Sequence, residues 1–135
     1  MKRIFTDANV FLRFFQRDEE DQRQRAAEFF RKAAAGAHQL VTGPPVLFEV
    51  AWTLRSSYKL TREECLGVLY RILALPGLEV TDRSRVEEAL RLAVQGGGEF
   101  ADAYIAASIE PTNCQCVATF NRKHFEKLGA TLYEF

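Results

Sequence analysis

The 135-residue chain has only two histidines, His38 and His124, and three cysteines, Cys65, Cys114 and Cys116. So few imidazole and thiol groups leave a zinc site short of ligands. The odd cysteine count, with two in a late Cys-Gln-Cys, argues against a secreted disulfide framework, and all three read as structural thiols. No run of about 18 uncharged apolar residues is present, so no segment suits a membrane-spanning helix. The N-terminus meets Asp7 before any apolar stretch of signal-peptide length, and the chain reads as cytoplasmic. Net charge is also missing: 18 basic residues balance 18 acidic ones. The basic surplus usual in non-specific nucleic-acid binders is therefore absent, although a local basic patch stays open. There is no Gly-rich phosphate loop, no Ser-His-Asp set and no Cys-His pair to suggest P-loop or nucleophilic side-chain chemistry. Aspartate is scarce, with five against 13 glutamates. Aspartate is a poor helix former, so each one beside apolar sequence calls for a reason.

What is there suits one globular domain over residues 1–135. Hydrophobic residues make up 47% and charged residues 27%, an ordinary mixture that can bury a core without disulfides. Residues 2–6 read as a first strand, followed by Asp7-Ala8-Asn9 and an apolar helix through Phe15. Residues 18–36 carry a helical stripe of Ala26, Phe29, Phe30 and Ala33, stopped at Gly36. Residues 39–42 read as a second strand. Pro44 and Pro45 suit the first turn of a helix reaching about Ser57. Thr61 and Glu64 have the spacing of a capping box for a helix over 62–75. After Pro76-Gly77 comes a short strand, 78–80, then a helix over 85–95 capped by Asp82 or Ser84. Gly96-Gly97-Gly98 is the expected flexible point before a helix over 99–109. Residues 116–119 read as a buried strand, 121–128 as a short helix and 131–133 as a last strand. Strands alternating with helices predict an α/β fold with a mainly parallel sheet, whose sites form beyond the carboxyl ends of the strands. Asp7 and Asn121 are both expected there.

Three acids stand out. Asp7 follows the first strand and precedes an apolar helix, where it suits a helix cap, a ligand or both, one oxygen for each. Glu49 lies inside Val46-Leu47-Phe48-Glu49-Val50-Ala51-Trp52. It is either one end of a polar stripe with Thr53 and Ser56 or a carboxylate that needs a cation. Asp102 precedes Ile105, Ala106 and Ile109 at helical spacing and so starts an apolar face. Glu99 lies one turn earlier on the same side. Two acids on one face repel unless a cation joins them, although a helix N-terminus also favours negative charge. One acid after a strand and two inside apolar helical stretches suit a hard cation such as Mg²⁺ or Mn²⁺. Such a site activates water and stabilises the charge of an in-line phosphoryl displacement.

At these residues the chain resembles the PIN-domain nucleases, especially the VapC-type toxins. The resemblance rests on Phe5-Thr6-Asp7-Ala8-Asn9-Val10-Phe11-Leu12, on residues 45–54 around Glu49, on Phe100-Ala101-Asp102-Ala103-Tyr104-Ile105-Ala106-Ala107 and on residues 118–125. It implies a three-layer α/β/α sandwich with a mainly parallel central sheet and a Mg²⁺- or Mn²⁺-dependent endoribonuclease leaving 5′-phosphate and 3′-hydroxyl ends. The family's first three acids fall on Asp7, Glu49 and Asp102, as catalytic metal ligands. The fourth falls on Asn121, a neutral departure that leaves Glu99 to supply the missing charge. Thr119 matches a supporting hydroxyl position. Arg122 and Lys123 beside the site are expected to contact RNA phosphates, with His124 a surface residue. Arg23, Arg25 and Arg31 read as a solvated helix face. The resemblance also implies a homodimer and a small antitoxin partner.

Two other readings stay open. Asn121 also suits a weakened PIN domain that binds RNA or an antitoxin without cutting. A phosphoacceptor domain would need Asp82 as acceptor and an acidic pair after strand one, and a dehalogenase-type phosphatase would need an acid where Asn9 stands.

Overall fold

The computed structural model describes residues 1–135, which divide into two compact units, Met1–Asp82 and Arg83–Phe135.

In the first unit, β1 (Lys2–Phe5), β2 (His38–Thr42) and β3 (Leu78–Val80) form a parallel sheet in the order β1-β2-β3. Ile4 pairs with Leu40, and Leu40 with Leu78. Parallel neighbours need long crossovers. These are α1 (Ala8–Phe15) with α2 (Glu20–Ala34), then α3 (Pro44–Ser56) with α4 (Arg62–Leu73). α1 packs on both α2 and α3, and α3 packs on α4. Aromatic rings fill the first of these contacts. Phe11 and Phe30 stack at 5.5 Å, and Phe14 meets Phe30 at 4.9 Å. Full burial of one such ring is worth roughly 1.5–3 kcal/mol. Gly77, at a φ of 79°, closes the turn into β3. A Cβ there would lie 2.5 Å from the Ala33 carbonyl oxygen, so only glycine lets the turn approach α2 this closely.

The predicted elements of this unit are all present, with ends moved by one or two residues. The capping box at Thr61 and Glu64 is made in both directions, at 3.1 and 2.9 Å. The backbone bond from Thr61 and the Thr61 side chain hold the Glu64 carboxyl below its ordinary pKa. The basic residues of α2 are solvated as expected. Arg23 bonds Glu20 at 3.0 Å, Arg31 bonds Glu28 at 2.7 Å and Arg25 lies 3.7 Å from Asp21.

The second unit holds α5 (Arg83–Gly96), α6 (Phe100–Ser108), a 3-10 turn (Glu110–Thr112) and α7 (Arg122–Lys127). α6 packs against both α5 and α7. Here three expectations need correction. Residues 116–119 and 131–133 are not strands: they share a single parallel bridge, Val117 with Leu132. Residues 116–119 are not buried either, since Ala118 is exposed and its neighbours half-exposed. Asn121 therefore does not follow a strand end. The face begun by Asp102 is not core, because Ile105 is exposed, and the buried side of α6 is Phe100, Ala103 and Ala107. Finally, Gly96 and Gly98 act as close-packing positions. A Cβ on Gly96 would lie 2.4 Å from the Lys127 carbonyl oxygen, and one on Gly98 would lie 2.9 Å from a Leu128 methyl.

No helix is long and apolar enough to cross a membrane. The three cysteines are free thiols, with Cys65 buried and Cys114 exposed.

Candidate active site

In the first unit Asp7 lies at the carboxyl end of β1, and Glu49 on the helix that follows β2. The Thr6 N–H donates to the Val41 carbonyl at 2.8 Å, and the buried Thr42 hydroxyl donates to the Thr6 carbonyl at 3.1 Å. The Thr81 N–H then donates to the Thr42 carbonyl at 2.9 Å. These bonds bind the ends of three neighbouring strands into one rim. α1 and α3 leave that rim side by side.

Asp7 is the first residue past the rim. It is the N-cap of α1: its Oδ1 accepts from the Ala8 N–H at 2.8 Å. Its second carboxylate oxygen takes no part in that cap. Both functions considered for Asp7 are thus open to the same side chain, one oxygen for each. α3 starts at Pro44, directly after β2, with Gly43 as its N-cap. A Cβ on Gly43 would lie 2.4 Å from the Thr81 hydroxyl, so the rim admits only glycine at this turn without a shift. Glu49 comes five residues into α3, about 8 Å along its axis. Val46, Leu47, Val50, Ala51 and Leu54 are buried on the opposite side, while Glu49 is exposed and Trp52 is 73% exposed. The carboxylate of Glu49 is therefore solvated and joins no ion pair. Its helix is buried on one side only, a narrower burial than the apolar sequence around Glu49 predicts.

In the second unit, Glu99 is the N-cap residue of α6, and Asp102 lies in the first turn. Negative charge is favoured at this helix end. The Asp102 side chain is 28% exposed, and its Oδ2 lies 3.5 Å from His124 Nδ1 on α7. Asn121 precedes α7 without a side-chain capping bond. Its N–H donates to the Thr119 hydroxyl at 3.0 Å, so Thr119 shapes the turn that carries Asn121. Arg122 is held by its own neighbours: Nη2 lies 2.7 Å from Glu134, and Nη1 donates to the Tyr133 carbonyl at 3.3 Å. Lys123 is exposed and joins no ion pair. Of the two cations expected to meet phosphate, Lys123 is the one left without a protein partner.

The nearness of His124 to Asp102 is not apparent in the sequence, where it reads as a surface residue. Its lone signal is its position two residues past the Arg122 that opens α7. The part that Thr42 plays in the rim is not apparent in the sequence either. A threonine ending an apolar strand just before Gly-Pro-Pro carries the hint.

In the first unit the free oxygen of Asp7 and the solvated carboxylate of Glu49 are oxygen donors of the kind that Mg²⁺ and Mn²⁺ prefer. Within neither unit do three His, Cys, Asp or Glu side chains already converge as a metal-holding group.

A family model described as PIN domain matches residues 4–130. No curated protein matches the chain.

Proposed function

The chain belongs to the PIN-domain family, a nuclease-type fold, and from that premise we propose that it is a divalent-metal-dependent endoribonuclease. In this reading residues 1–135 act as a single nuclease domain in the cytoplasm, and the protein is the VapC-type toxin of a toxin–antitoxin pair.

The observation that carries the reading is the state of the carboxylates. Asp7 keeps one oxygen outside its cap at the bonded rim of the parallel sheet, and Glu49 is solvated and joins no ion pair on α3, the helix that leaves that rim. Asp7, Glu49 and Asp102 are assigned as the metal ligands, with Glu99 adding negative charge. When bound, a divalent cation supplies water activation and charge neutralisation for in-line displacement at an RNA phosphodiester. Thr119 orients the Asn121 turn, and the Asn121 amide is free to hydrogen-bond water or substrate. Lys123 contacts a phosphate oxygen. Arg122 braces the neighbouring segment and contributes less charge than its sequence position suggests.

The antitoxin partner and the homodimer rest on the family likeness. A second reading is favoured by Asn121, which is neutral at the fourth acidic position: a PIN domain that binds RNA without cutting it.

Cleavage of a mixed RNA pool separates the two. The purified chain is incubated with Mg²⁺, with Mn²⁺ and with EDTA, beside Asp7→Asn. Metal-dependent cutting lost in the variant is the expected result. A folded, partner-free protein that cuts under neither metal overturns the enzyme in favour of the binding module.

A further inference from the structure

Three of the largest exposed apolar side chains of the chain lie in one place. Phe120 is 86% exposed, Phe135 72% and Tyr133 50%. Their gathering follows from the single parallel bridge of the second unit. The Val117 N–H donates to the Thr131 carbonyl and the Tyr133 N–H to the Val117 carbonyl, both at 2.9 Å, which sets Val117 beside Leu132. Three residues on, the same register brings Phe120 beside Phe135. Arg122 fastens this arrangement through Tyr133 and Glu134. The two phenylalanine rings stack with centroids 4.6 Å apart and planes 16° from parallel, and Tyr133 meets Phe135 edge-on at 5.2 Å.

Such a cluster does not serve the core. Exposed aromatics gain by stacking on each other, yet the exposure of Phe120 leaves much of that ring open to a third flat partner. The next residues along the chain are Asn121, the unpaired cation Lys123 and the partly exposed Arg122. A flat aromatic surface joined to a phosphate-binding cation is the combination that holds unpaired nucleotides, with bases on the rings and the backbone on the charge. The stacked ring faces beside Lys123 suit the flat base and the phosphate of a nucleotide together.

We infer that Phe120, stacked on Phe135 and flanked by Tyr133, is a platform for an unpaired RNA base, positioned one residue from Asn121. The platform makes the chain select single-stranded over paired RNA, because a base within a duplex has no free face to offer. The inference rests on the ribonuclease reading for its substrate and adds the specificity element.

The test measures binding in EDTA, so that no cleavage intervenes. A fluorescein-labelled 12-mer oligouridylate and an RNA duplex of equal length are titrated with wild type, Phe120→Ala and Phe120→Trp. Phe120→Ala is expected to weaken oligouridylate binding about tenfold, to leave duplex binding unchanged and to keep the wild-type melting temperature. Phe120→Trp is expected to restore affinity, with the added indole quenched on binding. Equal affinities for wild type and Phe120→Ala overturn the platform. So does sedimentation showing a wild-type dimer that Phe120→Ala dissociates, which gives the face to a second copy of the chain. RNA cleavage with no dependence on Phe120 sinks the platform and spares the nuclease. Phe120-dependent binding without metal-dependent cleavage does the reverse.

Discussion

His124 Nδ1 stands 3.5 Å from Asp102 Oδ2, so the acid assigned to the metal shares its carboxylate with an imidazole. The two side chains are expected to respond differently to substitution. Asp102→Asn removes a ligand charge from a partly exposed first-turn position, so cleavage should fall on the order of a hundredfold or more while the fold survives. Even partners outside the ligand set are worth roughly 10–100-fold. His124→Ala removes a neighbour that orients Oδ2 and should raise the Mg²⁺ concentration needed for half-maximal cleavage. A Mg²⁺ titration of both variants checks this. Wild-type rates in Asp102→Asn would remove that residue from the site.

Asp7 allows capping to be separated from ligation. Asparagine is as good an N-cap as aspartate, and alanine is not. Asp7→Asn should therefore keep the melting temperature and lose cleavage. Asp7→Ala should lose cleavage and about 1 kcal/mol of stability. Thermal denaturation beside the cleavage assay distinguishes the two. Equal destabilisation in both would mean that the charge, and not the cap, supports the helix.

Tyr58 gives a pH dependence with a definite sign. Its hydroxyl donates to Asp18 and accepts from Arg13 at 3.1 Å. Burial first, and then the Asp18 hydrogen bond, raise its pKa above the ordinary tyrosine value. A raised folded-state pKa means that stability is full below the unfolded pKa, about 10, and is lost as pH rises through the folded value. Tyr58→Phe should be less stable than wild type at neutral pH, by about 1 kcal/mol. The gap should narrow above about pH 10. Urea unfolding across that range measures it, and a gap that widens would reverse the sign.

The cations divide into free and held. Lys123 has no protein partner, whereas Arg23 and Arg31 are engaged with Glu20 and Glu28. Lys123→Gln should weaken RNA binding and reduce the slope of log affinity against log salt by about 0.7. Arg23→Gln and Arg31→Gln should leave both unchanged. A changed slope in the arginine variants would place α2 on the RNA.

Local signals carried most of the first unit. Pro76-Gly77 delimits a strand of three residues, and the Thr61–Glu64 spacing produces the capping box it announces. Asp7 after a strand was legible both as cap and as candidate ligand because the two need the same side chain in the same place. The second unit was less legible, for two reasons. α6 is apolar on most of its surface, so its period of 3.6 is satisfied by the Ile105 and Ile109 stripe as well as by the Phe100, Ala103 and Ala107 stripe. Which of these is buried depends on the neighbours α5 and α7, which periodicity does not contain. Residues 116–119 have strand-forming side chains, but a strand requires a partner ladder, and here only one bridge forms. The pairing of Asp102 with His124 is likewise a product of helix packing.

Gly96 and Gly98 touch the end of α7 where a single added carbon would collide with it. The approach of the α5 end to the end of α7 is thus gauged by a single hydrogen on Gly96, at a position with no chemistry of its own. A methyl group on Gly96 would press the end of α5 against the Lys127 carbonyl at the end of α7 and leave every acid, amide and cation in the chain intact. A residue with no functional group thus sets how closely one helix end may approach another, because the group it meets is backbone and cannot swing aside.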